Sequence, residues 1–305
     1  MILVWGVADP PARAVLDALM RAGESAFYLD QRDALETELT LELDRRTKGT
    51  LRSKGEIVKL DAIGAAYIRP MDAGKLAAAE GSARAAALDE AMLCWSETTH
   101  AFLVNRPSSM ASNNSKPYQL RVIHDHGFAV PETLLTTDTA ALEEFWECHG
   151  EVIYKSISGV RSIVGRLTPA HRARFAQLSS CPTQFQQWIA GTDFRVHVVG
   201  TDVFATEIES SAIDYRYPSC DGELPRLRAV DISPDLAHRC VRLAGALGLP
   251  FAGIDLRRTP AGEWYCFEVN PSPGFTFYAE ATGQPIAGAV ASLLASASRE
   301  RATQP

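Results

Sequence analysis

Three side chains whose oxygen atoms can bind a metal ion occur close together in the carboxyl-terminal part of the sequence. Asp255 lies in the run GIDL, and Glu268 and Asn270 follow in the run CFEVN. The stretch between the two runs contains the turn formers Pro260 and Gly262, so a hairpin would place Asp255 opposite Glu268 or near it. Glu268 and Asn270 would face the same side, because side chains alternate along a strand. Carboxylate and amide oxygens suit Mg²⁺, and the pattern therefore predicts a metal site at these three residues.

An exposed hairpin with a polar face is the competing interpretation of the same residues. Such a hairpin does not require acidic side chains between apolar neighbours, which here are Ile254, Leu256, Phe267 and Val269. The apolar neighbours therefore favour the metal site.

The arrangement resembles the metal site of ATP-grasp enzymes, in which an Asp on one strand is followed by Glu-x-Asn on the next. The resemblance covers residues 105–295 and is strongest to RimK-like ligases and to the ATP-grasp maturases of ribosomally made peptides. It implies an α/β (α+β) fold, namely the ATP-grasp fold with a preceding small α/β lobe. It also implies ATP and Mg²⁺ as cofactors, with Mn²⁺ as an alternative metal ion.

Two lysines match phosphate-binding positions of that family. The stretch VIYKSISGVRS resembles its lysine-bearing strand and the flexible loop that closes over the phosphates, which implies that Lys155 is a phosphate ligand. Lys116 stands where the family has an earlier ATP-contacting lysine that opens the central lobe. The residues alone are also compatible with an ordinary lysine at a strand end and a solvated lysine in a linker.

The stretch FQQWIAGTDFRV resembles the hinge between the two ATP-grasp lobes. The resemblance implies that backbone groups of Trp188 and Ile189 meet the adenine edge and that Asp193 binds the ribose hydroxyls. Gln186 stands where many relatives have a glutamate that accepts from the adenine amino group, and a glutamine carbonyl can accept the same hydrogen bond. An amphipathic strand followed by a glycine turn is the alternative, and it predicts none of these polar residue types.

Two arginines are candidates for the cation near the transferred phosphate. The stretch IDYRYPSCDGE resembles the segment of RimK-like ligases that ends in an arginine pointing at this phosphate or at the acyl group, and Arg216 fits that position. Arg195, on the predicted strand beside the nucleotide, is the second catalytic candidate. A guanidinium group matches phosphoryl oxygens in two-point geometry, although a solvated loop arginine is the alternative for Arg216.

The resemblance implies an ADP-forming ligase that joins a carboxylate to an amine or a hydroxyl group. A carboxylate does not react with an amine at neutral pH, because oxide is a poor leaving group, whereas an acyl phosphate has a good one. Formation of the acyl phosphate depends on positioning and charge neutralisation more than on covalent help from the protein. The sequence leaves the substrate open among small acids, amino acids and peptides.

Two other functions can be built on the same fold, namely a small-molecule kinase and a non-catalytic nucleotide-binding module. A module of that kind is expected to lose the metal residues, which this chain retains. A P-loop enzyme is disfavoured because GxxxxGK[ST] does not occur, and the strand, turn and helix over residues 2–21 lack GxGxxG.

Composition restricts the function classes further. The 305 residues include 30 basic and 37 acidic side chains, for a net charge of −7, which disfavours a nucleic-acid partner. No apolar run approaches the ~20 residues that span a bilayer, and the amino terminus has no signal-peptide pattern. We therefore expect a cytoplasmic protein with reduced cysteines, no membrane partner, and a homodimer among its expected states.

The order of predicted elements divides the chain into lobes. We predict an amino-terminal α/β lobe over residues 1–105 and a central ATP-grasp lobe with the phosphate loop over residues 106–187. The carboxyl-terminal lobe with the metal site follows over residues 188–299, and residues 300–305 form a frayed tail.

Local patterns predict the elements within these lobes. Residues 35–60 alternate like a hairpin with Lys48-Gly49 near its turn, and the polar run SSMASNNSKP is a predicted linker. Helices are predicted over residues 13–21, 75–100, 116–126, 138–149 and 234–247. Strands are predicted over residues 2–7, 26–29, 65–68, 104–107, 134–136, 151–156, 184–189, 194–199, 202–208, 251–257 and 264–269.

Overall fold

The computed structural model of the protein describes residues 1–43, 47–71, 82–155, 164–210 and 224–303. Three predicted features lie outside the described residues, namely the loop that follows Lys155, the candidate Arg216, and residues 75–81 of the predicted helix over residues 75–100. The strands are β1 (Ile2–Gly6), β2 (Ala26–Asp30), β3 (Glu38–Leu43), β4 (Thr47–Ser53), β5 (Glu56–Lys59), β6 (Ala65–Arg69), β7 (Phe102–Val104), β8 (Thr133–Thr136), β9 (Val152–Lys155), β10 (Gly165–Arg166), β11 (Thr183–Gln187), β12 (Thr192–Val199), β13 (Asp202–Glu209), β14 (Arg226–Val230), β15 (Phe251–Arg258) and β16 (Trp264–Asn270). The α-helices are α1 (Pro10–Arg21), α2 (Ser82–Thr98), α3 (Pro107–Met110), α4 (Lys116–Asp125), α5 (Thr139–His149), α6 (Pro234–Ala246), α7 (Thr276–Thr282) and α8 (Ile286–Ala302). Short 3₁₀ helices occupy Gln31–Glu36, Leu60–Ala62, Ala111–Asn114 and Pro169–Ser180.

A parallel sheet with the strand order β2-β1-β6-β7 forms the centre of the amino-terminal part. Helix α1 begins at Pro10, earlier than predicted, because the carboxylate of Asp9 accepts a hydrogen bond from the N–H of Ala12 at 2.9 Å. Gly6 and Arg69 are paired at the carboxyl ends of β1 and β6. This edge is the one at which open parallel sheets bind ligands.

The predicted hairpin over residues 35–60 is a three-stranded antiparallel sheet, β3-β4-β5. Lys48 and Gly49 lie close to the connection between β3 and β4, as predicted, because the pairing of these strands ends at Leu43 and Thr47. Both residues lie inside β4, opposite Glu42 and Leu41. A second turn, between β4 and β5, contains Lys54 and Gly55, which both have positive φ angles.

The segment between the first sheet and α4 is helical and not the predicted linker. Strand β7 ends at Val104, so the predicted strand over residues 104–107 is also wrong, and Pro107 starts α3. Proline fits the first turn of a helix because its fixed φ is helical and its missing N–H is not needed there. Arg106 donates hydrogen bonds to the carbonyls of Ser96 and Thr99 and so ties this segment to the end of α2.

Two antiparallel sheets form the rest of the described chain, with strand orders β10-β9-β11-β8 and β14-β13-β12-β15-β16. Alternate residues of β12 face opposite sides of its sheet. Phe194, Val196 and Val198 lie in an apolar core that also contains buried residues of α6. The residues that face the other side are Asp193, Arg195 and His197.

Helix α8 continues to Ala302, so the prediction of a frayed tail from residue 300 is wrong for its first residues. The buried side chains of Val290 and Leu294 in this helix pack in one core with Ile2 and Val4 of β1, which holds the helix against the first sheet. Among the described helices, none is long and apolar enough to cross a membrane.

We predict that Gly49→Ala destabilises the protein by about 2 kcal/mol more than Gly23→Ala. Both glycines have positive φ angles, but a β-carbon on Gly49 would lie 1.9 Å from the carbonyl oxygen of Thr40, whereas one on Gly23 meets nothing within 4 Å. Urea unfolding of the two variants separates the steric clash from the shared backbone cost. Equal losses would contradict the placement of Gly49 inside β4.

Candidate active site

Charged and polar side chains form two rows across β12, β15 and β16. In the first row, Arg195 is paired with Asp255, and Asp255 is paired with Glu268. In the next row, His197 is paired with Gly253, which is paired with Asn270. The predicted pairing of Asp255 with Glu268 is thus confirmed, and Asp255, Glu268 and Asn270 lie on neighbouring strands.

Arg195 forms an ion pair with Asp255 through its Nη1 atom and the Oδ1 atom of the carboxylate. The arginine side chain is 6% exposed, and its guanidinium carbon lies 5.6 Å from the ring centre of Tyr278 on α7. A β-carbon at Gly253 would lie 2.5 Å from Nη2 of Arg195, so glycine leaves the space that the guanidinium occupies. A buried cation requires a close partner, and Asp255 supplies it.

Gln119 on α4 fixes the strand segment that carries Glu268 and Asn270. Its amide nitrogen donates to the carbonyl of Val269 at 2.8 Å, and its amide oxygen accepts from the N–H of the same residue at 2.9 Å. The side chain is buried and bonds the outer edge of β16 as a neighbouring strand would. No local pattern indicates this role of Gln119, because its partner lies 150 positions away.

Asn105 fixes the ends of β15 and β16. Its amide nitrogen donates to the carbonyls of Phe251 at 2.6 Å and Pro271 at 2.5 Å, and its amide oxygen accepts from the N–H of Phe251 at 3.1 Å. The sequence predicted a strand over residues 104–107 and no role for Asn105, although an Asn directly after an apolar run was the available clue. Asn105 and Gln119 thus support β15 and β16, which carry the candidate metal ligands, from outside the sheet.

On the central sheet, Lys155 and Gln186 are in direct contact. Nζ of Lys155 donates to Oε1 of Gln186 at 3.2 Å, and Nε2 of Gln186 donates to Oγ1 of Thr133 at 2.9 Å. Gln186 is fully buried, and its partners come from the strands on either side of β11. The two candidate nucleotide ligands are therefore held together on one face of this sheet.

Trp188 and Ile189 follow β11 directly and are held by backbone contacts. The N–H of Trp188 donates to the carbonyl of Glu151 at 2.9 Å, and the carbonyl of Ile189 accepts from Arg257 at 2.7 Å. Two guanidinium groups contact the indole ring of Trp188, with the carbon of Arg166 at 4.8 Å and that of Arg257 at 4.7 Å from its centre. Such cation–π contacts hold the ring in place.

Asp193 forms a two-point ion pair with Arg257. Nε of the arginine donates to Oδ1 at 2.7 Å, and Nη2 donates to Oδ2 at 2.9 Å. Each carboxylate oxygen can accept more than one hydrogen bond, so a ribose hydroxyl would share these oxygens with Arg257. Lys116 is the half-buried first residue of α4, a helix that packs against β16.

His197 is buried next to Arg195 on the same face of β12. Its ring lies 5.1 Å from that of Tyr278, and neither ring nitrogen has a hydrogen-bond partner among the described residues. Burial lowers the pKa of His197 well below its usual value, and the positive charge of Arg195 lowers it further. The imidazole is therefore neutral in the folded protein at neutral pH.

We predict that His197 makes the folded state less stable as the pH falls below about 6.5. The unfolded chain then binds a proton that the folded chain does not, so the free energy of unfolding decreases by up to ~1.4 kcal/mol per pH unit. His197→Leu should reduce this loss between pH 7.5 and 5.5 in urea unfolding, whereas replacement of the exposed His238 by Gln should not. Equal losses in wild type and His197→Leu would contradict the prediction.

Comparison with protein families agrees with this geometry. A family model described as a RimK-like ATP-grasp domain matches residues 111–294. One relative is a probable alpha-L-glutamate ligase from Picosynechococcus sp., 26% identical over 204 residues that make up 64% of this chain and 67% of the relative. Another probable alpha-L-glutamate ligase, from Histophilus somni, is 27% identical over 62% of this chain and 66% of its own length. The chain thus spans about two thirds of the length of these relatives.

Solved structures resemble the protein over nearly its whole length. The ATP-grasp ligase PsnB, complexed with a phosphomimetic variant of a minimal precursor, Mg and ADP, has a TM-score of 0.80 and 26% identity and covers 97% of this chain and 98% of its own. The macrocyclase MdnC from Microcystis aeruginosa, bound with the precursor peptide MdnA, has a TM-score of 0.81 at 22% identity, with 97% and 99% covered.

A more distant structure has the same architecture. D-alanyl-alanine synthetase A from Vibrio cholerae has a TM-score of 0.65 at 13% identity, with 98% of both chains covered. The α/β ATP-grasp fold and the RimK-like resemblance predicted from the sequence are therefore confirmed. The chain belongs to the RimK-like ATP-grasp family and is an ATP-dependent ligase.

Proposed function

We propose that the protein uses ATP to activate a carboxylate of a peptide as an acyl phosphate and joins it to an amine or hydroxyl group. The observation that carries the proposal is the row formed by Arg195, Asp255 and Glu268 together with Asn270 in the next row. Together, these four residues place two carboxylates, an amide oxygen and a guanidinium group on one face of the sheet. The division of the chain at residues 105, 187 and 299 is part of the same proposal.

Asp255, Glu268 and Asn270 would hold Mg²⁺. Oxygen ligands on adjacent strands fit this ion, which is bound through one or two carboxylates and takes its other ligands from phosphates and water. The bound ion would neutralise phosphate charge.

Lys155, Gln186 and the residues after β11 would hold ATP. The ammonium group of Lys155 suits phosphate oxygens, and its contact with Gln186 at 3.2 Å keeps it on the face of the central sheet. At the adenine edge, the carbonyl of Trp188 and the N–H of Ile189 would be used, because the other backbone groups of these two residues bond Glu151 and Arg257. Asp193 would bind the ribose hydroxyls, and Lys116 would contact the phosphates.

The reaction needs cations at the phosphate and a site that excludes water. An oxygen of the substrate carboxylate attacks the γ-phosphorus, the bond from that phosphorus to the bridging oxygen breaks, and ADP leaves. The nucleophile then attacks the acyl carbon and loses a proton, while the carbon–oxygen bond breaks and phosphate leaves. Arg195 and Arg216 are the proposed cations for these steps, since a guanidinium group binds phosphoryl oxygens in two-point geometry.

A peptide substrate is supported by the solved relatives, because PsnB and MdnC are each bound with a precursor. A cytoplasmic location belongs to the same proposal. The homodimer expected from the sequence stays a prediction.

We predict that Glu268→Gln lowers ADP formation by about 100-fold or more, because it removes a charge from the metal site. The substitution keeps the size of the side chain, so thermal melting should stay close to that of wild type. Glu263→Gln, which changes an exposed carboxylate in the turn of the same hairpin, is the matched control. Turnover close to wild type in Glu268→Gln would exclude the metal assignment.

We also predict that a substrate acid labelled with heavy oxygen passes one labelled oxygen to inorganic phosphate. The transfer follows because the carboxylate oxygen that attacks phosphorus leaves with the phosphate when the nucleophile attacks carbon. Mass spectrometry of the phosphate and nucleotide products tests the prediction on an accepted peptide. AMP and pyrophosphate would indicate adenylation instead, and a stable phosphorylated product without a joined partner would indicate a kinase.

A further inference from the structure

Arg69 links the first sheet to the turn that directly follows Asn270. It is the last residue of β6, and its Nε atom donates to Oδ2 of Asp9 at 2.5 Å. Its Nη1 atom donates to Oγ of Ser272 at 2.8 Å, to the carbonyl of Ser272 at 2.9 Å and to the carbonyl of Pro273 at 3.3 Å. The arginine side chain is 17% exposed. Its hydrogen bonds connect the first sheet with the turn at Ser272 and Pro273.

The backbone carbonyls of this turn need hydrogen-bond donors from elsewhere in the protein. Its sequence from residue 270 is NPSPG, and the two prolines have no N–H to donate. The carbonyl of Pro271 accepts from Asn105, and the carbonyls of Ser272 and Pro273 accept from Arg69. All three carbonyls are thus bonded by side chains from the first hundred or so residues, which makes the conformation of the turn depend on that part of the chain.

The bonds continue from the turn to the proposed metal ligand. The N–H of Ser272 donates to Oδ1 of Asn270 at 2.9 Å. The connected series is therefore Asp9, Arg69, Ser272 and Asn270, and it ends on the amide whose oxygen is a proposed ligand of Mg²⁺. Groups that orient metal ligands in this way influence metal affinity without touching the ion.

We propose that Arg69, held by Asp9, is a positioning residue for the metal site, so that the first sheet sets the geometry of Asn270. This inference rests on the proposed function, because it requires the metal ion to bind at Asp255, Glu268 and Asn270. It assigns the amino-terminal part a role in metal binding in addition to any contact with substrate.

Calorimetric binding of a non-hydrolysable ATP analogue, with and without MgCl₂, tests the inference without a known substrate. Arg69→Met removes the donors and keeps an unbranched apolar side chain. We expect the gain in affinity that Mg²⁺ provides to fall about tenfold or more, the range seen when groups behind a metal ligand are lost. Affinity for the analogue in the presence of EDTA should stay at the wild-type value, which a general loss of structure would not allow.

Two further variants control for folding. Arg106→Met removes another arginine that donates to two backbone carbonyls, but within the first part of the chain, and should keep the wild-type response to Mg²⁺. Arg69→Lys keeps the positive charge next to Asp9 but cannot bond Asp9 and the turn through two separate nitrogens. It should therefore lose part of the gain in affinity for the analogue that Mg²⁺ provides. If Arg69→Met does not fold, the lysine variant decides.

A wild-type response to Mg²⁺ in the folded Arg69 variants, or an equal loss in Arg106→Met, would overturn the inference. Glu268→Gln in the same assay separates this result from failure of the proposed function. If Glu268→Gln also keeps the full Mg²⁺ gain, the metal site itself has been misassigned. If Glu268→Gln loses the gain and the Arg69 variants keep it, only the role of Arg69 is wrong.

Discussion

The pairing of β12, β15 and β16 is the constraint on which the site depends, because it forces like and unlike charges into one row. Asp255 and Glu268 lie opposite each other on adjacent strands, an arrangement that is unfavourable for two carboxylates alone. Arg195 on the third strand offsets this repulsion through its ion pair with Asp255. The row has one negative charge in excess, which would favour a bound cation, as the proposed Mg²⁺ site requires.

A β-bulge makes this row compatible with a buried opposite face. Asp255 is paired with Glu268, but Leu256 is paired with Cys266, so Phe267 is the extra residue. Cys266 and Val269 are both fully buried although they are three positions apart, which a regular strand would place on opposite faces. Without the bulge, either the apolar residues would lose their core or Glu268 would leave the site. Phe267 instead packs over the guanidinium group of Arg257 at 5.3 Å.

Strands β12, β13, β15 and β16 and the pairing of Asp255 with Glu268 could be predicted because they depend on local signals, namely apolar runs and one Pro- and Gly-containing turn. Strand β14 was not predicted, and most of its residues are at least partly exposed. The turn at Lys54 and Gly55 was also missed. Gln119, Asn105 and Arg69 were missed because their partners lie roughly 150 to 200 positions away, and no local pattern shows that a polar side chain will bond a distant backbone.

The candidate nucleotide-binding residues also form hydrogen bonds with other parts of the protein. The family resemblance identified Asp193, Gln186 and Lys155 as candidate nucleotide ligands, and each of them already has a protein partner. At the proposed site, binding of ATP would exchange or share existing hydrogen bonds, and each exchange would contribute only the difference between two bonds. The existing bonds also reduce the entropy cost of binding. A lysine held by Gln186 and a carboxylate held by Arg257 have less side-chain freedom to lose when a ligand binds. The same contacts that would weaken each new hydrogen bond would therefore preorganise the proposed nucleotide site.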